Sequence, residues 1–161
     1  MIVLIGNGPH ARDIAHHLHD TYRIFTHHSK YMPDMSDTVI IGINDPHIRA
    51  EVADELDVTD EPWVHPATIL CGVTYGPGTH INYGAHAIRT RIGCHTTISP
   101  GATICGDVVI GDRVLVGANA TICDRVTIGH DAVVGAGCVV LPGFHIPAST
   151  TWVGNPARQV R

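Results

Sequence analysis

The chain is read as a small Rossmann-like α/β unit followed by a parallel β-helix. Three observations predict this. An apolar residue returns at every sixth position from Ile92 to Trp152, and a Gly-rich turn directly follows an apolar N-terminal strand. The core must also be aliphatic, because 44 % of the 161 residues are hydrophobic and only 5 % are aromatic.

The N-terminal part comes first. Ile2-Val3-Leu4-Ile5 reads as a buried strand, Gly6-Asn7-Gly8-Pro9-His10 as a turn, and Ala11 to about Leu18 as a helix with Pro9 in its first turn, where a missing N–H costs nothing. Tyr22–Thr26 and Thr38–Gly42 read as further strands. Asp45 and Pro46 are the N-cap and first position of a helix running to about Leu56. This order makes a small doubly wound parallel unit over residues 1–60. Asp57–Glu61 reads as an acidic link to the second part, 61–161.

There the apolar column runs Ile92, Ile98, Ile104, Ile110, Val116, Ile122, Ile128, Val134, Val140, Ile146, Trp152, and upstream through Trp63, Ile69, Tyr75, Ile81 and Ala87. A six-residue period is what a parallel β-helix needs, since each coil has three sides of about six residues and one aliphatic per side points inward. Glycines near the corners ease the turns. The narrow interior excludes rings, and Trp63 and Trp152 are placed as caps at the two ends of the column. One hexad is short: Ala87-Ile88-Arg89-Thr90-Arg91 has one residue too few before Ile92.

Composition narrows the function. With ten Lys+Arg, fifteen Asp+Glu and a net charge of −5, no basic stripe is available for a nucleic-acid backbone. No window approaches about 18 unbroken apolar residues, so no membrane span is expected. The N-terminus lacks the basic flank of a signal peptide, and a cytoplasmic protein is expected. Five cysteines without a CxxC pair read as buried thiols rather than as a disulfide or zinc framework.

Gly6-Asn7-Gly8 is a fragment of a dinucleotide fingerprint that leaves backbone N–H groups at a helix N-terminus. That suits either a nucleotide or diphosphate ligand or a structural turn. His10 is either an added donor or a surface histidine. Thr26-His27-His28 stand where a dinucleotide binder carries an acid, which argues against NAD. Among the thirteen histidines, His65, His80, His86, His95, His130 and His145 fall in or near loops of the repeat. His95 and His130 are out of register for a shared metal, so no metal is expected.

Several segments together carry a resemblance: Ile5–His10 with Ala11-Arg12, Val64-His65-Pro66-Ala67, Ile81-Asn82-Tyr83-Gly84-Ala85, Ile98-Ser99-Pro100-Gly101-Ala102 and Val153-Gly154-Asn155-Pro156-Ala157-Arg158. The chain resembles the hexapeptide-repeat sugar O- and N-acyltransferases of the NeuD/PglD type. This implies a left-handed β-helix in a homotrimer with active sites between protomers. It also implies acetyl transfer from acetyl-CoA to an amine or hydroxyl of a sugar or nucleotide sugar. By matching position, Gly106 would supply an oxyanion-binding N–H, Ala118 and Ala136 would line the pantetheine groove, and Gly8, Pro9 and His10 would contact the sugar nucleotide.

The departures are specific. The family's general-base histidine lies in the hexad that is short here, and Thr97, which stands in place of a second family histidine near the thioester, would contact the cofactor together with Gly106. Either His86 supplies the base from a displaced position, or the protein is a catalytically impaired CoA- or nucleotide-binding homologue in which Arg89 or Arg91 meets an anion. Transfer without a side-chain base is the third alternative.

Overall fold

The computed structural model describes residues 2–6, 8–18, 22–25 and 37–161. Asn7 and Thr26-His27-His28, singled out above, lie outside them. The N-terminal unit is a three-stranded parallel sheet of order β2-β1-β3, formed by β1 (Ile2–Ile5), β2 (Tyr22–Phe25) and β3 (Thr38–Ile41). Two helices, α1 (Pro9–His17) and α2 (Pro46–Leu56), pack on it. Asp45 Oδ1 caps α2 by accepting from the backbone N–H groups of His47 and Ile48 at 2.9 and 3.1 Å, as its place before Pro46 predicts.

Residues 63–159 wind into a parallel β-solenoid of about five turns, whose faces are sheets of seven, five and five strands. The seventh strand of the first sheet, Arg158–Gln159, is antiparallel and closes the C-terminal end. The interior is the predicted column: Ile98, Ile104, Ile110, Val116, Ile122, Ile128, Val134, Val140 and Ile146 are all buried in one cluster. Each such side chain contributes roughly 1.5–3 kcal/mol of burial.

At Trp63 and Ile69 the predicted register is corrected by one residue, whereas Tyr75 keeps it by pairing with Ile92. Val64 pairs with Ile81 and Leu70 with Ala87, so these residues point inward. Trp63 and Ile69 instead face out, and Ile69 is 61 % exposed. A one-residue slip exchanges the two faces of a strand; here Trp63 and Ile69 are apolar for another reason. Trp63 packs outward against Leu4, Ala11, Ile14 and Ile40, joining the N-terminal unit to the first coil rather than capping the column. Trp152 does cap it, against Phe144 with ring centroids 5.1 Å apart.

The correction moves the missing residue into both of the first two coils. Leu70 to Tyr75 and Ala87 to Ile92 are each one residue shorter than Ile104 to Ile110. In the short coils a single corner residue, Gly72 (φ 64°) or Arg89 (φ 41°), takes the left-handed conformation that Asp107 (φ 62°) takes in the full-length coil. Cys105 is followed by Gly106 before that corner, whereas Ile88 is followed directly by Arg89.

Asp57–Glu61 is not simply a solvated acidic link. Asp60 is 1 % exposed, bridges to Val39 beside the sheet, and accepts the Gly78 N–H on its carbonyl at 2.6 Å.

Candidate active site

At the N-terminal end of α1 lies a pocket of about 280 Å³, lined by Gly6, Gly8, Pro9, His10, Gly42, Ile43 and Asn44. Gly6 has φ 123°, and a Cβ at Gly42 would lie 2.7 Å from that of Ala11, so both glycines are needed to bring β1, β3 and α1 this close. Gly8 caps α1 without a side-chain bond, which leaves the first helical amides open toward an anion. Gly8, Pro9 and His10 thus share one concavity.

The pocket's rear is tied to the solenoid by polar contacts that sequence reasoning missed. His10 Nε2 lies 2.7 Å from Nδ1 of the fully buried His80. Arg49 of α2 is also fully buried, and its guanidinium donates to the carbonyls of Gly78 (2.7 Å), Ile43 (2.6 Å), Asn44 (3.4 Å) and His95 (2.6 Å) and to Thr97 Oγ1 (3.0 Å). Burial lowers the Arg49 pKa to about 10, which still leaves it charged at neutral pH. Asp60 Oδ1 accepts from the Ile41 N–H at 2.8 Å, while Oδ2 has no hydrogen bond among the described residues and lies 3.7 Å from both Arg49 Nε and His95 Nδ1. Burial raises the Asp60 carboxyl to about 7, more than its Ile41 bond and Arg49 lower it. Arg49, the single arginine in a helix that also carries Glu51, Asp54 and Glu55, was the one signal for this network in the sequence.

Thr97 belongs to the same junction. It is 0 % exposed, and its Oγ1 donates to the Asn44 carbonyl at 2.9 Å while receiving Arg49. Its hydroxyl is thus held between Asn44 and Arg49.

The transfer residues expected from the resemblance lie on the solenoid's outer surface. His86 is exposed on the strand His86–Ile88, between Ile69 and Thr103 on the same outward face. Exposed Ile69 and Ile88 make that face apolar around it. Ala118 and Ala136 stack in consecutive coils, with the Gly137 N–H donating to the Ala118 carbonyl at 2.8 Å, and they form a column of small side chains.

Gly106 does not present a free amide. Its N–H donates to Asp124 Oδ1 at 2.9 Å, and the Arg89 guanidinium reaches across the space that a Cβ at Gly106 would occupy. Turn amides elsewhere follow the same pattern: Cys94 N–H donates to Asp112 Oδ1 (2.8 Å), and Asp112 N–H to His130 Nδ1 (2.9 Å). Each is a corner donor satisfied by a side chain one coil later. His130 is thereby a corner cap.

Asp13, His17 and His65 bring ligand atoms within 4.8 Å of one another. His17 Nδ1 lies 2.9 Å from the Asp13 carbonyl, to which it can donate, leaving Nε2 open. His65 Nδ1, however, accepts the Ala67 N–H at 3.0 Å, so the neutral ring carries its proton on Nε2. A cation there would have to displace that proton or break the Ala67 bond, so this donor set suits a metal poorly.

Residues 89–124 and 108–143 match the family of bacterial transferase hexapeptide repeats (six repeats). No curated protein matches the chain in sequence. Among solved structures, PerB from Caulobacter crescentus in complex with CoA and GDP-perosamine is similar at a TM-score of 0.79 and 23 % identity, over 99 % of this chain and 97 % of that one. WeeI from Acinetobacter baumannii is similar at 0.73 and 19 %, over 99 % of each chain. The acetyltransferase domain of PglB from Neisseria gonorrhoeae in complex with acetyl coenzyme A is similar at 0.72 and 18 %, over 99 % and 98 %. At these identities the likeness is one of fold, and it extends over the α/β unit and the solenoid together.

Proposed function

We propose that this chain, whose solenoid carries the bacterial transferase hexapeptide repeat, transfers the acetyl group of acetyl-CoA to an amine on a nucleotide sugar. The observation that carries this reading is the pocket at the head of α1, bound to the solenoid through His10–His80 and Arg49, in a whole-chain fold shared with a protein that holds CoA and GDP-perosamine. In this reading residues 1–60 are a Rossmann-like nucleotide-sugar unit. Residues 61–161 are a left-handed β-helix. The chain works as a cytoplasmic homotrimer.

The apolar outer face around His86 supports an active site covered by a second copy, since Ile69 and Ile88 are exposed there in the single chain. The acceptor amine attacks the thioester carbonyl, and His86 takes the proton that the nitrogen loses. The tetrahedral intermediate then collapses with C–S cleavage, and the thiolate of CoA is protonated. Ala118 and Ala136 leave room for pantetheine. The Gly106 amide can hold the oxyanion only when Asp124 releases it.

The test is release of free thiol from acetyl-CoA with a panel of nucleotide amino sugars. Acceptor-dependent release is expected. A flat signal for every acceptor, with CoA still bound, would overturn the reading.

A further inference from the structure

His80 precedes the inward Ile81 on its strand, as His86 precedes Ala87 and His145 precedes Ile146, but of the three it alone is buried. It stands on an outward-facing position of the first sheet, paired with Trp63 and Thr97, where the N-terminal unit covers it completely. Its Nδ1 meets His10 Nε2 at 2.7 Å, and its buried Nε2 has no hydrogen-bond partner among the described residues. Two neutral rings at this distance share one proton, and there are two ways to place it.

If His10 donates, His80 must carry its own proton on Nε2, leaving a buried N–H with no acceptor. If His80 donates from Nδ1, the unpartnered Nε2 is a bare lone pair. An orphaned buried N–H donor is the rarer arrangement of the two. The second placement therefore holds. It puts the remaining proton of His10 on Nδ1, for which no hydrogen bond is found among the described residues, on a residue that lines the pocket.

We infer that His80 is a positioning residue: by donating Nδ1–H to His10 Nε2 it fixes His10 as the Nδ1–H tautomer, an uncharged donor for a phosphoryl oxygen of the bound nucleotide sugar. The inference rests on the nucleotide-sugar reading for its ligand, but not for its tautomer. Both rings stay neutral in the working range. Burial, reinforced by the Arg49 charge, lowers His10 to about 4 against a smaller opposing effect of Asp13. Burial, then Arg49, His10 and His95, push His80 well below its ordinary value. A neutral His10 adds a directed hydrogen bond beside the open amides of α1, and it cannot act as a base while His80 occupies its other nitrogen.

Two measurements on the full-length protein test this. Long-range ¹⁵N–¹H correlation spectra of the ligand-free protein should show His10 protonated on Nδ1 and bare on Nε2. Protonation on Nε2 would overturn the assignment outright. Calorimetric titration with GDP and UDP should then show binding weakened roughly tenfold in His80→Leu, the equivalent of one hydrogen bond. His80→Asn, which keeps an N–H donor toward His10, should restore most of the affinity. The His10 tautomer should shift in His80→Leu and hold in His80→Asn, whereas a merely structural role would move the melting temperature and leave the tautomer alone. Equal affinity of His80→Leu and wild type would overturn the positioning role. Absence of diphosphate binding by wild type, with the Nδ1–H tautomer seen, would overturn the ligand and the nucleotide-sugar reading while sparing the tautomer.

Discussion

Arg89 pairs with Asp107 across the corner where its own coil lacks a residue, Nε to Oδ1 at 3.0 Å, and its guanidinium covers Gly106 in doing so. The shortened corner is the one where the resemblance expects a histidine, and here Arg89 lies over the neighbouring amide instead. The base, if a side chain supplies it, must come from elsewhere on this face.

His86 is the residue put forward for that task. His86→Ala is expected to lower kcat by about 10²–10⁴-fold, the usual worth of a general base, with little change in the KM for either substrate. Steady-state acetyl transfer measures it. Unchanged turnover would remove His86 from the chemistry.

Asp124 holds the Gly106 amide that an oxyanion would need. Asp124→Ala should therefore raise kcat severalfold if Gly106 is the donor, at a small loss in melting temperature from one unsatisfied corner amide. A variant with unaltered kcat would assign the oxyanion to another N–H.

Arg49 joins α2, the pocket rim and two coils of the solenoid through five hydrogen bonds. Arg49→Met leaves those acceptors and Asp60 without their cation and should cost about 3–5 kcal/mol, as for a broken buried charge pair. Arg49→Lys should recover little, because an ammonium has three donors and no fork. Urea unfolding monitored by Trp fluorescence reads the loss, since Trp63 sits at the same junction.

Stability against pH follows from opposed groups. Asp60 titrates near 7 in the folded chain against an ordinary value of 3.8, so the folded state holds its proton longer and this carboxyl subtracts stability as pH rises from about 4 to 7. His10, lowered to about 4, acts in the opposite sense: its folded form sheds the proton first, so stability is lost as pH falls from 6.5 toward 4. His65, His80 and His95 are lowered too and add to the acid lability. The melting temperature of wild type should fall between pH 6.5 and 4. Asp60→Asn keeps the Ile41 bond and offers an N–H toward His95 Nδ1, so its advantage over wild type should grow from pH 4 to 7 and level off above. An advantage independent of pH would mean Asp60 is ionised throughout.

Much of this architecture was legible because it is periodic or local. The column from Ile92 onward has one dominant cause, an inward aliphatic per side, and the structure buries it as read. Asp45 and Pro46 announce α2 by capping chemistry that acts within a few residues. The period failed only where apolar residues serve two masters: Trp63 and Ile69 are apolar because one meets the N-terminal unit and the other lies on the outer face around His86, so they mimicked the inward column one residue out of register.

By itself, then, the sequence determined the solenoid, its aliphatic core, the strand–turn–helix start and the shortened hexad at Arg89, since each depends on spacing along the chain. Only the tertiary structure decided that Arg49, Asp60, His80 and Thr97 meet at the pocket's rear, and that Asp124 already holds the Gly106 amide. Those contacts join residues far apart in sequence, or one coil apart, whose burial comes from packing two units together. Spacing carries no record of which polar group a neighbouring unit will cover.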